Sequence, residues 1–338
     1  MVTACFMGSS IACGANIAQL HVYSSAIAVS PVIAVDKFDS NWAAAGRGTY
    51  AQAKARTGIE YYLNNTWSLG VEKRLDYLLH FSKQTAQFYK KLENSGLPKG
   101  IYPLWLSVNA VTSTSLFAQY VIPLPNGFEF KLKGHVLQPE QVQYGQFTGE
   151  GSVAEDDSFD YSYNLNYSYD NNKLVNGSNL AVSGWGHSFD LQLTAELQDG
   201  FSMRATWQDV WHRIYWAAIN HDNGCLAKTG SSSDADCFVK ESRITQTQAI
   251  PVSSELHLEK SFKSGLSIYT HLNQWARYDS VLLGVKQSDL NLGLDILNRA
   301  IHLSYESDMV RLKLASDQLA LSKSKYLQVS LDINWPFL

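Results

Sequence analysis

The chain has 338 residues and a formal net charge of −4; hydrophobic residues make up 45% of it but charged residues only 17%. A typical soluble domain carries nearer a quarter charged residues, so uncharged polar side chains fill the gap. This composition excludes a disordered chain or a coiled coil, and the near-neutral balance leaves no electrostatic footprint for nucleic acid. No stretch beyond the N-terminus approaches the roughly 18 consecutive apolar residues of a spanning helix. A large β-protein remains.

Residues Met1–Ala18 carry no charge and read as small and apolar, like the core and cleavage region of a secretory signal, although no Lys or Arg follows Met1. Cleavage near Ala15 or Ala18 is expected, with Ala26-Ile27-Ala28 as a later A-x-A site; the alternative is an ordinary N-terminal strand. The mature domain then covers 19–338. Cys5 and Cys13 leave with the signal, so Cys225 and Cys237 remain in the polar stretch Asn220–Cys237. Two cysteines closing such a loop suit a disulfide in an oxidising compartment.

In chain order, period-two alternation dominates. Ala51–Leu63 alternates small and apolar residues and turns at Asn64-Asn65 into Trp67–Phe81. There Trp67, Leu69, Val71, Leu75, Tyr77, Leu79 and Phe81 oppose Ser68, Gly70, Glu72, Arg74, Asp76 and His80. Lys83–Asn94 breaks the theme with helix formers followed by Gly96, which predicts a short loop or plug helix. Leu104–Ile122 and Phe128–Gln138 flank a turn at Pro125-Asn126-Gly127. Pro139–Asp157 reads as an acidic loop outside the membrane, and Phe159–Tyr169 as an aromatic strand. Trp185–Leu197 turns at Gln198-Asp199-Gly200 into Phe201–Ala217, and Asn220–Cys237 reads as a second extended loop. Tighter hairpins follow: Gln248–Phe262, Leu266–Gln274, Val281–Gln287, Leu290–Ile296, Ala300–Tyr305, Val310–Ala315 and Tyr326–Phe337. Several of these are shorter than the roughly 9–11 residues that cross hydrocarbon.

Alternation alone fits a soluble sandwich or a membrane barrel. The early strands exceed the 5–6 residues usual in sandwiches. Aromatics gather at strand ends, at Trp67, Phe81, Tyr161, Tyr169, Trp185, Trp207 and Trp211, as interfacial girdles do. At the C-terminus Leu327, Val329, Leu331, Ile333, Trp335 and Phe337 alternate with polar residues. This resembles the last strand of Gram-negative outer-membrane β-barrel proteins, with Phe337 penultimate where that superfamily places its aromatic last. The resemblance covers Ala51 to the end and implies an outer-membrane location, contact with its lipid, and insertion by the barrel-assembly machinery. The expected fold is all-β: one transmembrane antiparallel barrel of about 14 strands (12–16), from roughly 23 residues per strand and connection.

Phosphate-loop, dinucleotide, zinc-hydrolase and nucleophile-elbow motifs are absent, which argues against an enzyme and names no cofactor or metal. With the aromatic face toward lipid, the opposite face gives lumen-lining candidates: Glu72, Arg74, Asp76, His80, Glu129, Lys131, Lys133, His135 and Arg204, with Asp190 and Glu196. Mixed charges of this kind suit either a pore that selects small-molecule solutes by size and field or a paired network that fills a narrow barrel. The first reading is a passive channel or uptake pore. The second is a non-conducting component of a secretion, pilus or conjugation apparatus. Asp209 and Arg213 share the parity of Trp207 and Trp211; the strand is expected to leave the hydrocarbon by Asp209, with a face-swapping bulge as the alternative.

Overall fold

A computed structural model describes residues 19–37, 48–94, 98–155, 159–171, 181–228 and 237–336; the signal expected at Met1–Ala18 lies outside them. The alternating segments form one antiparallel sheet closed on itself. β1 (Gln19–Val29) pairs with β2 (Tyr50–Tyr62) on one side and with β17 (Tyr326–Pro336) on the other. Closure leaves no sheet edge, the condition for a sheet surrounded by lipid. The wall continues through β3 (Trp67–Phe81), β4 (Gly100–Leu124) and β5 (Phe128–Val153), with the helix α1 (Lys83–Asn94) between β3 and β4.

Three paths are then interrupted. β6 (Phe159–Tyr169) and β7 (Ser183–Leu197) both pair with β5, along its upper and lower parts respectively. β8 (Phe201–Gln208) and β9 (Arg213–Lys228) are likewise separated by residues 209–212, and β10 (Val239–Gln248) and β11 (Ser253–Ser261) by 249–252. Short hairpins complete the ring: β12 (Leu266–Trp275), β13 (Tyr278–Gln287), β14 (Leu290–Asp295), β15 (Ala300–Glu306) and β16 (Val310–Ser316). The described residues thus hold seventeen strand segments in one sheet. The segments outnumber the expected 12–16 strands because β6 and β7, β8 and β9, and β10 and β11 each share one path around the wall.

The turns follow residue chemistry. Asn126, Asp199, Ser288 and Arg299 take positive φ at hairpin ends, and Asn64 Oδ1 accepts the backbone N–H groups of Thr66 and Trp67 at 2.8 Å. All hairpins at the end holding residues 19 and 336 are tight.

Wall height is uneven. β4 and β5 have 25 and 26 residues, whereas β14, β15 and β16 have only six or seven. Seven residues span about 23 Å before tilt, less than the roughly 30 Å hydrocarbon core of a typical bilayer. Two expected loops contain strand: β5 runs through Pro139 to Val153, and β9 runs through Asn220 to Lys228. Polar sequence hides these strands because, above the membrane, neither face has to meet acyl chains. A bulge opposite Thr112/Ser113 also shifts the register of β5, so Val136 below it and Phe147 above it share a face of the sheet.

Around the lower wall the outward parity is apolar and exposed, as at Ile59, Leu69, Val71, Leu116, Val136 and Leu292. The inward parity is polar and buried, as at Glu60, Glu72, Arg74 and Asp76. Trp67 stacks near Tyr120 with ring centroids 4.5 Å apart, and Trp185, Tyr215, Trp211 and Phe189 form an exposed aromatic patch. Outward-facing Lys73 pairs with Glu140 above the apolar belt.

Beyond that pair the outward parity is covered by protein. Val108, Phe147, Leu165, Tyr167 and Tyr169 pack together and are buried. α1 lies on this flank, with Phe88 against Tyr102 and the backbone of Gly151, and Ala86 packed with Phe81 and Val32. The helix is therefore a loop helix on the flank, not a plug, and Phe81 and Tyr169 belong to this second core rather than to a lipid girdle. Alternation identifies an apolar face but not what covers it.

The barrel interior as candidate functional site

One side of the interior is filled by an ionic network centred on Asp209. β8 ends at Gln208, and Asp209 adopts φ 61°, a conformation open to Asp through local hydrogen bonding. This turns its carboxylate inward, where it is 1% exposed. The face-swapping alternative is thus the one realised, and the expected exit from the hydrocarbon is corrected: Val210 and Trp211 remain outside and exposed while Asp209 points in. Asp209 contacts Arg74, lies 3.4 Å from Arg56 and 3.5 Å from Lys54, and accepts the Ser188 hydroxyl at 2.9 Å. Its backbone N–H donates to Asp190 at 2.8 Å. Arg56 also pairs with Asp76 at 2.9 Å, and Tyr23 donates to Glu72 at 2.7 Å. Buried charges persist only when paired and hydrogen-bonded in this way.

Beside the network stand Ser115, His135 and Asp190. Ser115 Oγ lies 3.1 Å from His135 Nδ1, and His135 Nε2 lies 3.1 Å from Asp190 Oδ2. The three residue types are those of a Ser-His-Asp hydrolase triad, although the ring nitrogens are exchanged relative to one, in which Nε2 faces the serine and Nδ1 the aspartate. Ser115 is nevertheless fully buried and His135 nearly so, so substrate has no path to the hydroxyl. The arrangement extends the charge network instead.

The opposite side, under the short strands, is hollow. A cavity of about 320 Å³ is lined by Arg204 of β8, Glu255 and Glu259 of β11, Lys286 of β13, Glu306 of β15, and Arg311 and Lys313 of β16. Lys286 and Arg311 both pair with Glu306, Glu259 with His257, and Glu255 with His271. Above it Trp275, Tyr278, Tyr326 and Leu78 form a buried apolar roof, and Lys54 sits 5.7 Å from the Trp275 ring centroid.

A closed wall, an apolar outer belt and a charged interior meet every requirement of a sheet that spans a bilayer. The fold is a closed antiparallel β-barrel built to span a membrane. The barrel is similar in structure to the ΔS2S3 mutant of the monoaromatic hydrocarbon channel TodX, at 12% identity and a TM-score of 0.43, covering 96% of this chain and 91% of that one. It is also similar to the Pseudomonas putida toluene transporter TodX (13% identity, 94% and 87% covered, TM-score 0.38). The outer-membrane protease OmpT from Escherichia coli is a further match (9%, 95% and 97%, TM-score 0.29). At these values the likeness concerns architecture alone. No family model and no curated protein matches the chain.

The barrel brings Glu72, Arg74, Asp76 and His135 into the buried network, with Lys133 beside it, its ammonium 3.6 Å from the Phe117 ring centroid. Arg204 belongs to the cavity instead. Glu129 and Lys131 pair with each other at 3.2 Å near the Pro125–Gly127 turn, away from both. His80 lies near the top of β3, where its Nε2 is buried without a hydrogen-bond partner. Cys225 and Cys237 are disulfide-bonded across a Cα separation of 5.2 Å, within the ordinary range. Among the described residues no group of three or more His, Cys, Asp or Glu could hold a metal ion.

Sequence reasoning missed Lys54, Arg56 and Glu60 of β2, although they occupy the parity opposite the row Ala53, Ala55 and Ile59. It also missed the cavity's acids and bases on β11, β13, β15 and β16, where strand assignment stopped short of assigning faces.

Proposed function

We propose that the barrel is a passive outer-membrane channel for small molecules. The carrying observation is the asymmetry of its interior, with one half packed by buried ion pairs and the other a charged cavity whose wall includes the exposed Arg204 and Lys313. Water-accessible charged walls inside an apolar belt are the ingredients of a selective pore. The packed half supports a second reading, a non-conducting barrel that serves as a structural component of an envelope apparatus. Outer-membrane lipid is the partner of the apolar belt, and the alternating final strand is the segment offered to the barrel-assembly machinery.

Planar-bilayer recording and liposome swelling test the proposal. Discrete conductance steps and swelling in small uncharged solutes are expected. Absence of both in correctly folded, heat-modifiable protein would contradict it and favour the structural reading.

A further inference from the structure

The cavity's charges are not evenly matched. Four cations line it (Arg204, Lys286, Arg311 and Lys313) against three carboxylates (Glu255, Glu259 and Glu306). Glu306 is paired with two cations, whereas Glu259 and Glu255 face the imidazoles of His257 and His271, which are cationic only when protonated. Lys286 and Arg311 are committed to Glu306. Among the described residues, Arg204 and Lys313 have neither an ion pair nor a side-chain hydrogen bond, and both are exposed although they occupy the inward parity of their strands.

Two solvated cations on separate strands therefore face one compartment in which Lys and Arg outnumber carboxylates by four to three. The packed half of the interior has the opposite character: Asp209, Asp76, Glu72 and Glu60 are sealed within it, with Arg74, Arg56 and Lys54 held against them. Its carboxylates present little field to a solute in the cavity.

We infer that Arg204 and Lys313 make the open half of the lumen selective for small anions, including carboxylate-bearing solutes. The inference rests on the channel reading and names its substrate class. Paired residues set the geometry of the wall, while the two uncommitted cations supply the field that enriches anions and repels cations, as rings of fixed charge do in other pores. Tyr269, Tyr278 and Tyr326 also line the cavity.

The test is the reversal potential across a planar bilayer under a KCl gradient, repeated with potassium acetate. The wild-type barrel is expected to pass chloride in preference to potassium. Arg204→Gln with Lys313→Gln is expected to lower the anion-to-cation permeability ratio below one, and Arg204→Lys with Lys313→Arg to keep it above one. Heat-modifiable migration checks that each variant folds. A conducting wild type that prefers potassium, or a ratio unmoved by the double neutralisation, overturns the anion assignment and leaves the channel intact. A folded barrel without conductance overturns both.

Discussion

Replacing Asp209 with Asn removes a single negative charge from beneath Arg74, Arg56 and Lys54. The perturbation is confined to charge, because Asn tolerates the same left-handed backbone at φ 61° and can still accept the Ser188 hydroxyl. A pair 3.4 Å apart attracts by roughly 5 kcal/mol at an effective dielectric constant near 20, before the desolvation of both partners is subtracted. The cations do not suffer equally. Arg56 keeps Asp76 at 2.9 Å and Arg74 keeps Glu72 at 3.6 Å, but Lys54 is left with only the Gln208 amide oxygen at 2.8 Å. Breaking a buried pair by removing one partner costs about 3–5 kcal/mol. D209N is expected to fall in that range, and D209A to lose a further ~1 kcal/mol through backbone strain. Urea unfolding in detergent micelles, followed by tryptophan fluorescence and heat-modifiable migration, measures the loss. Lys54→Met in the D209N background should recover part of it. D209N as stable as the wild type, or a double variant worse than either single one, would refute the account of the network.

Leu292→Arg places a cation on the apolar belt and should cost about 2–4 kcal/mol near the bilayer midplane. Asn291→Arg, one residue away but facing the lumen, should lose no more than the ~1 kcal/mol of its hydrogen bond to Ser304. Equal losses in the same unfolding assay would contradict the assignment of faces. Gly145→Val thrusts a side chain into the backbone of Asn166 and Tyr167, and overpacking of this kind costs about 1–3 kcal/mol. The tyrosine near-ultraviolet circular dichroism should weaken while the membrane belt stays folded; an unchanged spectrum would contradict the close β5–β6 approach. Thiol titration of denatured protein lacking Met1–Ala18 should find no free thiol before reduction and two afterwards, from Cys225 and Cys237. Free thiols without reductant would contradict the disulfide.

Much of the wall was legible because period-two alternation is a direct consequence of strand geometry. Trp67–Phe81 and Lys83–Asn94 agree with β3 and α1 to the residue. The failures have a common physical origin. Between Pro139 and Val153, and between Asn220 and Lys228, the strands rise where neither face must meet acyl chains, so polar composition masks them. Tyr161, Tyr163, Tyr167 and Tyr169 alternate as a lipid face would, yet Tyr163, Tyr167 and Tyr169 pack with Val108 of β4 and Phe147 of β5, and Tyr161, Tyr163 and Tyr167 line a cavity shared with α1. Periodicity cannot distinguish acyl chains from other side chains as the apolar neighbour. The interior charges on β3 and β5 followed from parity alone. Asp209 did not, because one positive φ reverses the face on which its side chain falls. The division between packed and open halves depends on which strands oppose each other across the barrel, and no local pattern encodes that.

The account's central claim is that the exposed apolar parity touches acyl chains while the opposite parity is enclosed. Single-tryptophan variants reconstituted in bilayers with lipids brominated along their chains test it directly. Trp67 and Trp335 are exposed on the outer face, whereas Trp275 is buried in the cavity roof. Strong quenching of Trp67 and Trp335 with little quenching of Trp275 is the predicted result. Trp275 quenched as strongly as the outer pair, or none of the three quenched, would contradict the claim.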